Sequence, residues 1–252
     1  MKLVAFGATD VGQVRGKNED AFLIDADRRL YLVADGMGGH AGGGFASSHA
    51  VESVIAELKR QEGGQDMTQP LRDNSGHTLA QLQLQNALKR TNEILFQRSI
   101  SDSQLRGMGT TLTALKFDEQ YANLAHVGDS RAYLIRESQL RQLTEDHSWV
   151  QEQVRSGVLT AEEARLHPLK NIITRSMGHE REVTVDLFKE EYRIGDRYLL
   201  CSDGMTNMVE DDEILATVTQ EAPEPAVRRL IQRAKEEGGL DNITVIVVAL
   251  EV

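Results

Sequence analysis

Four aspartates in the chain stand where apolar runs begin or end, each beside glycine, serine or asparagine. Three follow the runs LYLVAD, LAHVGD and YLLCSD and one precedes ITVIVV; they are Asp35, Asp129, Asp203 and Asp241. If these runs pair as antiparallel strands, the carboxylates meet at one sheet edge, although a single such aspartate is an ordinary turn former. Two carboxylates about 4 Å apart repel by roughly 4 kcal/mol at an effective dielectric constant near 20. The cluster must therefore protonate, spread apart or bind cations.

The donor atoms of this cluster indicate which cation it would take. They are all oxygens, and the sequence has neither a cysteine pair nor His-x-x-x-His spacing, so Mg²⁺ or Mn²⁺ fits better than zinc. Glycine follows both Asp35 and Asp203, which lets the backbone approach an ion closely, and the Gly36 carbonyl is a further candidate ligand. Two such ions can hold a water, lower its pKa and direct it at phosphorus.

A second charged group lies upstream, in the segment VRGKNEDA. The Arg15 guanidinium is a planar fork that matches phosphate, and it supplies a local cation in an acidic chain. Glu19 and Asp20 could accept hydrogen bonds from metal-bound waters. Taken alone, the same segment is more typical of a solvated charged turn.

Motifs for other phosphate chemistry are incomplete. The glycine-rich run after Asp35 has Ala41 where a dinucleotide-binding loop needs its third glycine. Arg15-Gly16-Lys17-Asn18 lacks the first glycine and the final Ser or Thr of a P-loop. Cys201 lacks the arginine that a cysteine phosphatase needs six residues later, and a small buried strand residue is the simpler interpretation. Metal-activated water therefore remains as the nucleophile.

The elements that must position these residues are mostly short strands. Apolar runs predict strands at 3–9, 21–25, 30–35, 110–117, 121–127, 131–136, 183–188, 197–202 and 243–250. Helical periodicity begins at residue 43 and at about residue 77, and a third helix opens at Pro223 and Pro225. Residues 61–76 are predicted to form an exposed loop, and 144–170 an irregular charged stretch with short helical pieces. This order predicts an α+β layered fold with helices outside antiparallel sheets.

Composition excludes several classes of partner. The chain has 252 residues, with 28 Lys and Arg against 39 Asp and Glu, a formal charge of −11. Such a charge disfavours nucleic acid and anionic membranes as partners. The single cysteine favours a reducing cytoplasm, and no apolar run is long enough for a signal peptide or a membrane span. A monomer is expected, because no long exposed apolar stripe is evident.

Together these motifs resemble the metal-dependent Ser/Thr protein phosphatases of the protein phosphatase 2C (PPM) family, in its compact bacterial form. The similar segments follow the family order and cover nearly the whole chain: 15–21, 33–43, 108–115, 125–134, 143–150, 173–178, 199–205 and 241–248. The resemblance implies a four-layer α/β/β/α sandwich, with metals at one edge of the central antiparallel β-sandwich. It also implies a single phosphatase domain over residues 1–252, with a flap at 147–170 beside the active site.

The resemblance assigns metal-binding roles residue by residue. Asp35 corresponds to the ligand that bridges two ions, and the Gly36 carbonyl to a ligand of the first ion. Asp203 and Asp241 correspond to ligands of the second ion. Asp129, together with Asp203, is similar to the ligands of a third and weaker ion in bacterial members.

The resemblance also implies the reaction. Phosphoserine and phosphothreonine in proteins would be hydrolysed by a hydroxide that bridges the metals, without a phosphoenzyme, in opposition to a bacterial Ser/Thr kinase. Arg15 would hold the substrate phosphate, and His40 would be the general acid or, equally, a neutral loop histidine. The alternatives are a catalytically weak phosphoprotein-binding regulator with the same fold and a phosphatase dedicated to small molecules or one regulator.

Overall fold

A computed structural model describes residues 2–38, 42–63 and 76–252 of the chain. His40 and most of the predicted loop at 61–76 lie outside the described residues. Across the three described ranges, no helix combines the length and the apolar character needed to cross a lipid bilayer.

The strands form two antiparallel sheets that face each other. Their bounds are β1 (Lys2–Asp10), β2 (Asp20–Asp25), β3 (Leu30–Met37), β4 (Gly109–Thr110), β5 (Leu112–Phe117), β6 (Tyr121–Val127), β7 (Arg131–Arg136), β8 (Gln139–Gln142), β9 (Asp186–Glu191), β10 (Arg197–Cys201) and β11 (Ile243–Glu251). One sheet has the order β1-β11-β10-β7-β8, and the other has the order β2-β3-β5-β6-β9 with β4 paired to β3. We call them the β11 sheet and the β3 sheet.

Helices cover the outer face of each sheet. Their bounds are α1 (Gly42–Glu62), α2 (Leu79–Ser101), α3 (Trp149–Arg155), α4 (Ala161–Leu166), α5 (Asp203–Thr206), α6 (Asp211–Gln220) and α7 (Pro223–Glu236). Helices α1 and α2 pack on the β3 sheet, and α6 and α7 pack on the β11 sheet. The predicted four-layer α/β/β/α sandwich is confirmed.

Strand β11 shows why this chain forms layers. Its apolar residues alternate between two cores: Val245 and Val247 face α6 and α7, whereas Ile246 and Val248 face the opposite sheet. A strand covered on both faces favours apolar residues at nearly every position, which explains the run ITVIVVAL, in which Thr244 is the one polar residue. The same run places Asp241 two residues before the strand, at the end of the sandwich.

Some elements differ from the sequence-based expectation. The polar edge strand β8 and the helices α5 and α6 were not predicted, because β8 has no alternating apolar face and α6 opens with three acidic residues. The strand expected at 183–188 begins at Asp186 instead. Val183 and Val185 gave the apolar signal, but they pack against the core beneath α1 and α2 from outside the strand.

The core between the sheets provides a stability test. Leu200 is fully buried between the sheets, whereas Leu166 on α4 is 80% exposed. Leu200→Ala is expected to lower the free energy of unfolding by about 2–5 kcal/mol, because it leaves a cavity in a packed interior. Leu166→Ala is the matched control and should change it by less than about 0.5 kcal/mol. Urea denaturation measures both; equal effects would contradict the assignment of this core.

Candidate functional site

The predicted aspartates come to the same end of both sheets. Asp35 stands near the end of β3, opposite Asp20 in the register of β2, and Asp129 follows β6 in the β3 sheet. Asp203 lies two residues after β10, at the start of α5, and Asp241 lies two residues before β11, the antiparallel neighbour of β10. The expectation of one shared sheet edge is therefore wrong: two facing sheets contribute, because β3 and β6 lie in one sheet and β10 and β11 in the other.

The aspartates are close enough to change one another's ionisation. Burial raises the pKa of Asp35 well above its ordinary value, and the charges of Asp20, Asp203, Asp129 and Asp241 raise it further. Burial also raises the pKa of Asp129, as does the charge of Asp203. For Asp203 burial again raises the pKa, followed by the charge of Asp241. Such a group of carboxylates is unfavourable unless protons or cations compensate its charge.

One carboxylate oxygen of Asp20 accepts hydrogen bonds, and the other has no hydrogen-bond partner among the described protein atoms. Its Oδ2 accepts hydrogen bonds from Ser202 Oγ at 2.8 Å, just after β10, and from Thr244 Oγ1 at 2.6 Å, in β11 of the opposite sheet. Its Oδ1 is buried without a hydrogen-bond partner among the described protein atoms. Burial raises the pKa of Asp20 to about 7, despite the two hydroxyl donors. An unpaired buried oxygen beside other carboxylates fits the hydrogen of a water held on a cation.

Arg15 lies beside this group of carboxylates. It is exposed, and its Nη2 donates to Asp241 Oδ2 at 2.7 Å, which raises the pKa of the guanidinium. The loop that carries it is tied to the segment before β11, where Gln13 N donates to Gly239 O at 2.8 Å. The loop turns at Gly12, where φ is +78° and a Cβ would lie 2.2 Å from Asp241 O. A phosphate drawn to this guanidinium would lie next to the aspartates.

Asn242 holds the Arg15 loop and was missed as a functional residue. Its Nδ2 donates to Val11 O at 3.0 Å and Lys17 O at 2.9 Å, and its Oδ1 accepts from Glu19 N at 2.8 Å. The sequence signal was its place after Asp241, but its partners lie more than 220 residues away along the chain. Asn242 thus fixes the segment that presents Arg15, Glu19 and Asp20.

Asn242→Asp is expected to loosen this segment. The new carboxylate would place an oxygen against the Val11 and Lys17 carbonyls, where two N–H donors now lie. Two lost hydrogen bonds plus the repulsion should lower the free energy of unfolding by about 2–4 kcal/mol. The control is Asn86→Asp on the exposed side of α2. Thermal unfolding compares the two variants, and equal melting temperatures would contradict the role given to Asn242.

Glu19 lies at the start of α1 and beside Gly36. Its Oε1 accepts from Gly44 N at 3.2 Å, which places a negative charge at the positive end of a helix dipole. Its backbone oxygen accepts from Gly36 N at 3.1 Å. A Cβ on Gly36 would lie 2.1 Å from Gly43 O, so only glycine fits this close approach. Glu19 therefore joins Gly36 to α1 as well as carrying charge.

Asp129 and Asp203 line one cavity of about 570 Å³. Helices α3 and α4, which lie in the predicted flap, contribute Val150, Gln151, Ala161 and Ala164 to its wall. Arg165 on α4 forms an ion pair with Glu210, which connects the flap to the segment before α6. The cavity therefore runs from the aspartates to the flap.

The donor set has the chemistry of a hard-cation site, but its side chains also have protein partners. Within residues 2–38, 42–63 and 76–252, no three Asp, Glu, His or Cys side chains are arranged to enclose an ion. Asp241 accepts from Arg15 and from Asn242 N, and Asp203 Oδ2 accepts from Asn207 Nδ2 at 3.0 Å. To bind a cation, Asp241 Oδ2 would exchange Arg15 for the ion.

Cys201 is fully buried at the end of β10. Burial raises the pKa of its thiol to about 12, so the thiolate that acts as a nucleophile is scarce at pH 7. The structure thus agrees with the interpretation of Cys201 as a small buried strand residue.

Comparison with known proteins identifies relatives over almost the whole chain. The model of the family described as Protein phosphatase 2C matches residues 13–244. Serine/threonine protein phosphatase PstP of Mycobacterium tuberculosis is 41% identical over 240 residues, which cover 95% of this chain and 43% of PstP. Protein phosphatase PhpP of Streptococcus pneumoniae is 40% identical over 247 residues, covering 96% of this chain and 95% of PhpP.

A solved structure shares the fold. The crystal structure of the catalytic domain of PstP in complex with two manganese ions has a TM-score of 0.81 and 38% identity, and the match covers 99% of each chain. The chain spans less than half the length of the curated PstP, 43%, but nearly all of this catalytic domain. On the family match, the relatives and the shared four-layer fold, this chain is a member of the protein phosphatase 2C family.

Proposed function

We propose that this chain hydrolyses phosphoserine and phosphothreonine in proteins with the help of two divalent cations, Mn²⁺ or Mg²⁺. The observation that carries the proposal is the cluster of buried, mutually repelling aspartates beside Arg15. Two relatives support it, because PstP is named a serine/threonine protein phosphatase and PhpP a protein phosphatase. The structure of the PstP catalytic domain contains two manganese ions. We propose further that residues 1–252 act as one phosphatase domain, with 147–170 as its flap.

The aspartates and one backbone carbonyl would hold the cations. Asp35 would bridge two ions, with the Gly36 carbonyl on the first and Asp203 and Asp241 on the second. Asp129 would hold a third, weaker ion together with Asp203, since both line the same cavity. When bound, such cations supply a water of lowered pKa and neutralise charge on the phosphoryl oxygens.

The remaining residues would bind and orient the substrate. The Arg15 fork would donate to two phosphate oxygens once released from Asp241, and it would stabilise the charge that develops during transfer. Asp20 Oδ1 and Glu19 would accept hydrogen bonds from waters of the metal shell, which fixes the direction of attack. His40, which lies outside the described residues, is proposed to donate a proton to the leaving serine or threonine oxygen.

The proposed partners are phosphorylated proteins, including a Ser/Thr kinase whose action the enzyme would reverse. We propose that the chain acts as a monomer in the cytoplasm, with neither nucleic acid nor membrane as a partner. The net charge of −11 supports the exclusion of polyanions.

Release of inorganic phosphate from synthetic phosphopeptides tests this function. Phosphoserine and phosphothreonine peptides should be hydrolysed in the presence of Mn²⁺. Excess EDTA should stop the hydrolysis, and addition of Mn²⁺ should restore it. A matched phosphotyrosine peptide and p-nitrophenyl phosphate show whether the site selects the substrate class. Binding of the peptides without phosphate release would favour the phosphoprotein-binding regulator. Turnover of small phosphate esters alone would favour the small-molecule phosphatase.

A further inference from the structure

A polar cluster built around two buried histidines lies behind the turn that carries Asp129. It consists of two histidines, an arginine and an aspartate: His126, His147, Arg175 and Asp186. His126 and His147 are 0% and 6% exposed, and their ring centroids lie 4.8 Å apart. Three segments with family-like motifs, 125–134, 143–150 and 173–178, supply all but Asp186, and the proposed reaction gives no role to this cluster.

His147 holds the turn before Asp129 through two hydrogen bonds. Its backbone N–H donates to Gly128 O at 2.7 Å, and Gly128 N donates to its Nδ1 at 2.9 Å. The turn has little freedom of its own, because Gly128 has φ +115° and a Cβ there would lie 2.5 Å from the Thr111 side chain. The imidazole thus holds the peptide unit before Gly128, and the His147 backbone holds the one that joins Gly128 to Asp129.

Asp186 selects the tautomer of the His147 imidazole that can accept the hydrogen bond from Gly128 N. Since a backbone N–H can only donate, Nδ1 must carry no proton, and the proton of the neutral ring lies on Nε2. That nitrogen is 3.1 Å from Asp186 Oδ2, which accepts its hydrogen bond. Arg175 Nη1 lies 2.8 Å from the same nitrogen and orients the carboxylate by donating to Asp186 Oδ1 at 2.7 Å. Burial lowers the pKa of His147, which keeps the ring neutral at pH 7.

The neighbours of His147 in the chain connect the same turn to the flap. Asp146 accepts from Arg131 Nε at 2.9 Å and from Arg131 Nη2 at 2.7 Å. Arg131 lies two residues after Asp129, whereas Gly128 lies directly before it. Ser148 caps α3, where its Oγ accepts from Gln151 N at 3.3 Å. Residues 146–148 therefore join the Asp129 turn to the first helix of the flap, with His147 at the centre.

We propose that His147, with its tautomer set by Asp186, is the positioning residue that holds Asp129 in place for cation binding. The inference rests on the proposed function, in which Asp129 and Asp203 share the third ion. An outer residue that orients a ligand in this way typically changes metal affinity or activity by about 10–100-fold when it is removed.

Two substitutions of His147 separate positioning from packing. His147→Asn keeps an acceptor close to the position of Nδ1, whereas His147→Leu fills the space without one. His179→Leu, on an exposed loop, is the matched control. Hydrogen exchange at the Gly128 amide should be faster in His147→Leu and close to wild type in His147→Asn.

Calorimetric titration with Mn²⁺ then gives the decisive result. We expect the weakest Mn²⁺ site to lose about 10–100-fold in affinity in His147→Leu and to recover most of it in His147→Asn. The Mn²⁺ concentration for half-maximal p-nitrophenyl phosphate turnover should rise in parallel. Wild-type Mn²⁺ affinity in His147→Leu, with or without faster Gly128 exchange, would overturn the proposal.

A second pair covers the case in which His147→Leu does not fold. Asp186→Asn keeps an acceptor for Nε2–H and should stay close to wild type, whereas Asp186→Leu should reproduce the loss of Mn²⁺ affinity. Equal affinities for these two variants would also overturn the proposal. If the wild type binds Mn²⁺ without releasing phosphate from any substrate, the proposed function fails while the affinity comparison still decides the role of His147. A wild type that binds no Mn²⁺ overturns both.

Discussion

Asp35→Asn is expected to lower Mn²⁺-dependent turnover of p-nitrophenyl phosphate by at least about 10³-fold, while the protein stays folded. Loss of the proposed bridging ligand removes charge stabilisation worth several kcal/mol, and each 1.36 kcal/mol corresponds to about a tenfold change in rate. Asp203→Asn should have a similar effect. Initial rates over a range of Mn²⁺ concentrations measure the loss, because they separate a weaker affinity for the metal, which more Mn²⁺ restores, from a lower maximal rate, which it does not.

The same substitution should make the metal-free protein more stable. Burial and four neighbouring carboxylates raise the pKa of Asp35, so a neutral amide relieves repulsion that the wild type carries. With EDTA, the melting temperature should rise by roughly 2–4 °C; with Mn²⁺, the wild type should gain stability and the variant should not. Asp27→Asn, in the exposed turn between β2 and β3, is the control. Near-wild-type turnover in Asp35→Asn would refute the proposed site.

Gly204→Ala is expected to give the largest structural effect. A Cβ on Gly204, in α5 just after β10, would lie 2.0 Å from Asn242 O, just before the start of β11. Neither backbone segment can move without disturbing the pairing of two central strands, so the loss in free energy of unfolding should be about 3 kcal/mol or more. Because Asp203 and Asp241 directly precede the clashing residues, Mn²⁺ affinity should fall as well.

Gly63→Ala is the matched control for this substitution. It follows α1, and among the described residues its added Cβ would come no closer than 3.5 Å to another atom. The melting temperature of the Gly63→Ala protein should stay within roughly 2 °C of wild type, corresponding to about 0.5 kcal/mol. Urea denaturation and calorimetric Mn²⁺ titration of both variants check the prediction; a Gly204→Ala protein with wild-type stability and Mn²⁺ affinity would contradict the close approach.

Much of the fold could be predicted because most of the strands carry their own apolar signal. The run before Asp35 and the run after Asp241 both mark strands whose burial is complete on both faces, and the structure confirms them. Helix α7 was predicted from its apolar stripe and its prolines. Elements with a weak local signal were not predicted. Strand β8 is a polar edge strand, and α6 begins with three acidic residues, a composition that is also typical of a loop.

The partners within the site could not be predicted from local patterns. Asp20 in β2 is held by Ser202 and Thr244 from the facing sheet, and that contact exists only once the two sheets pack together. The same holds for Asn242, whose role depends on carbonyls of the Arg15 loop. The places of the aspartates at the ends of apolar runs predicted that they meet, but only the sheet order shows that they come from two layers.

Anomalous diffraction from a crystal soaked in Mn²⁺ tests the central claim most directly. The claim is that aspartates from two facing sheets form one divalent-cation centre beside Arg15. We predict two strong manganese peaks within ligand distance, about 2.0–2.3 Å, of the Asp35, Asp203 and Asp241 carboxylates and the Gly36 carbonyl, with a weaker third peak at Asp129. A map without manganese at these residues, from a crystal that holds the ion elsewhere or nowhere, would contradict the account.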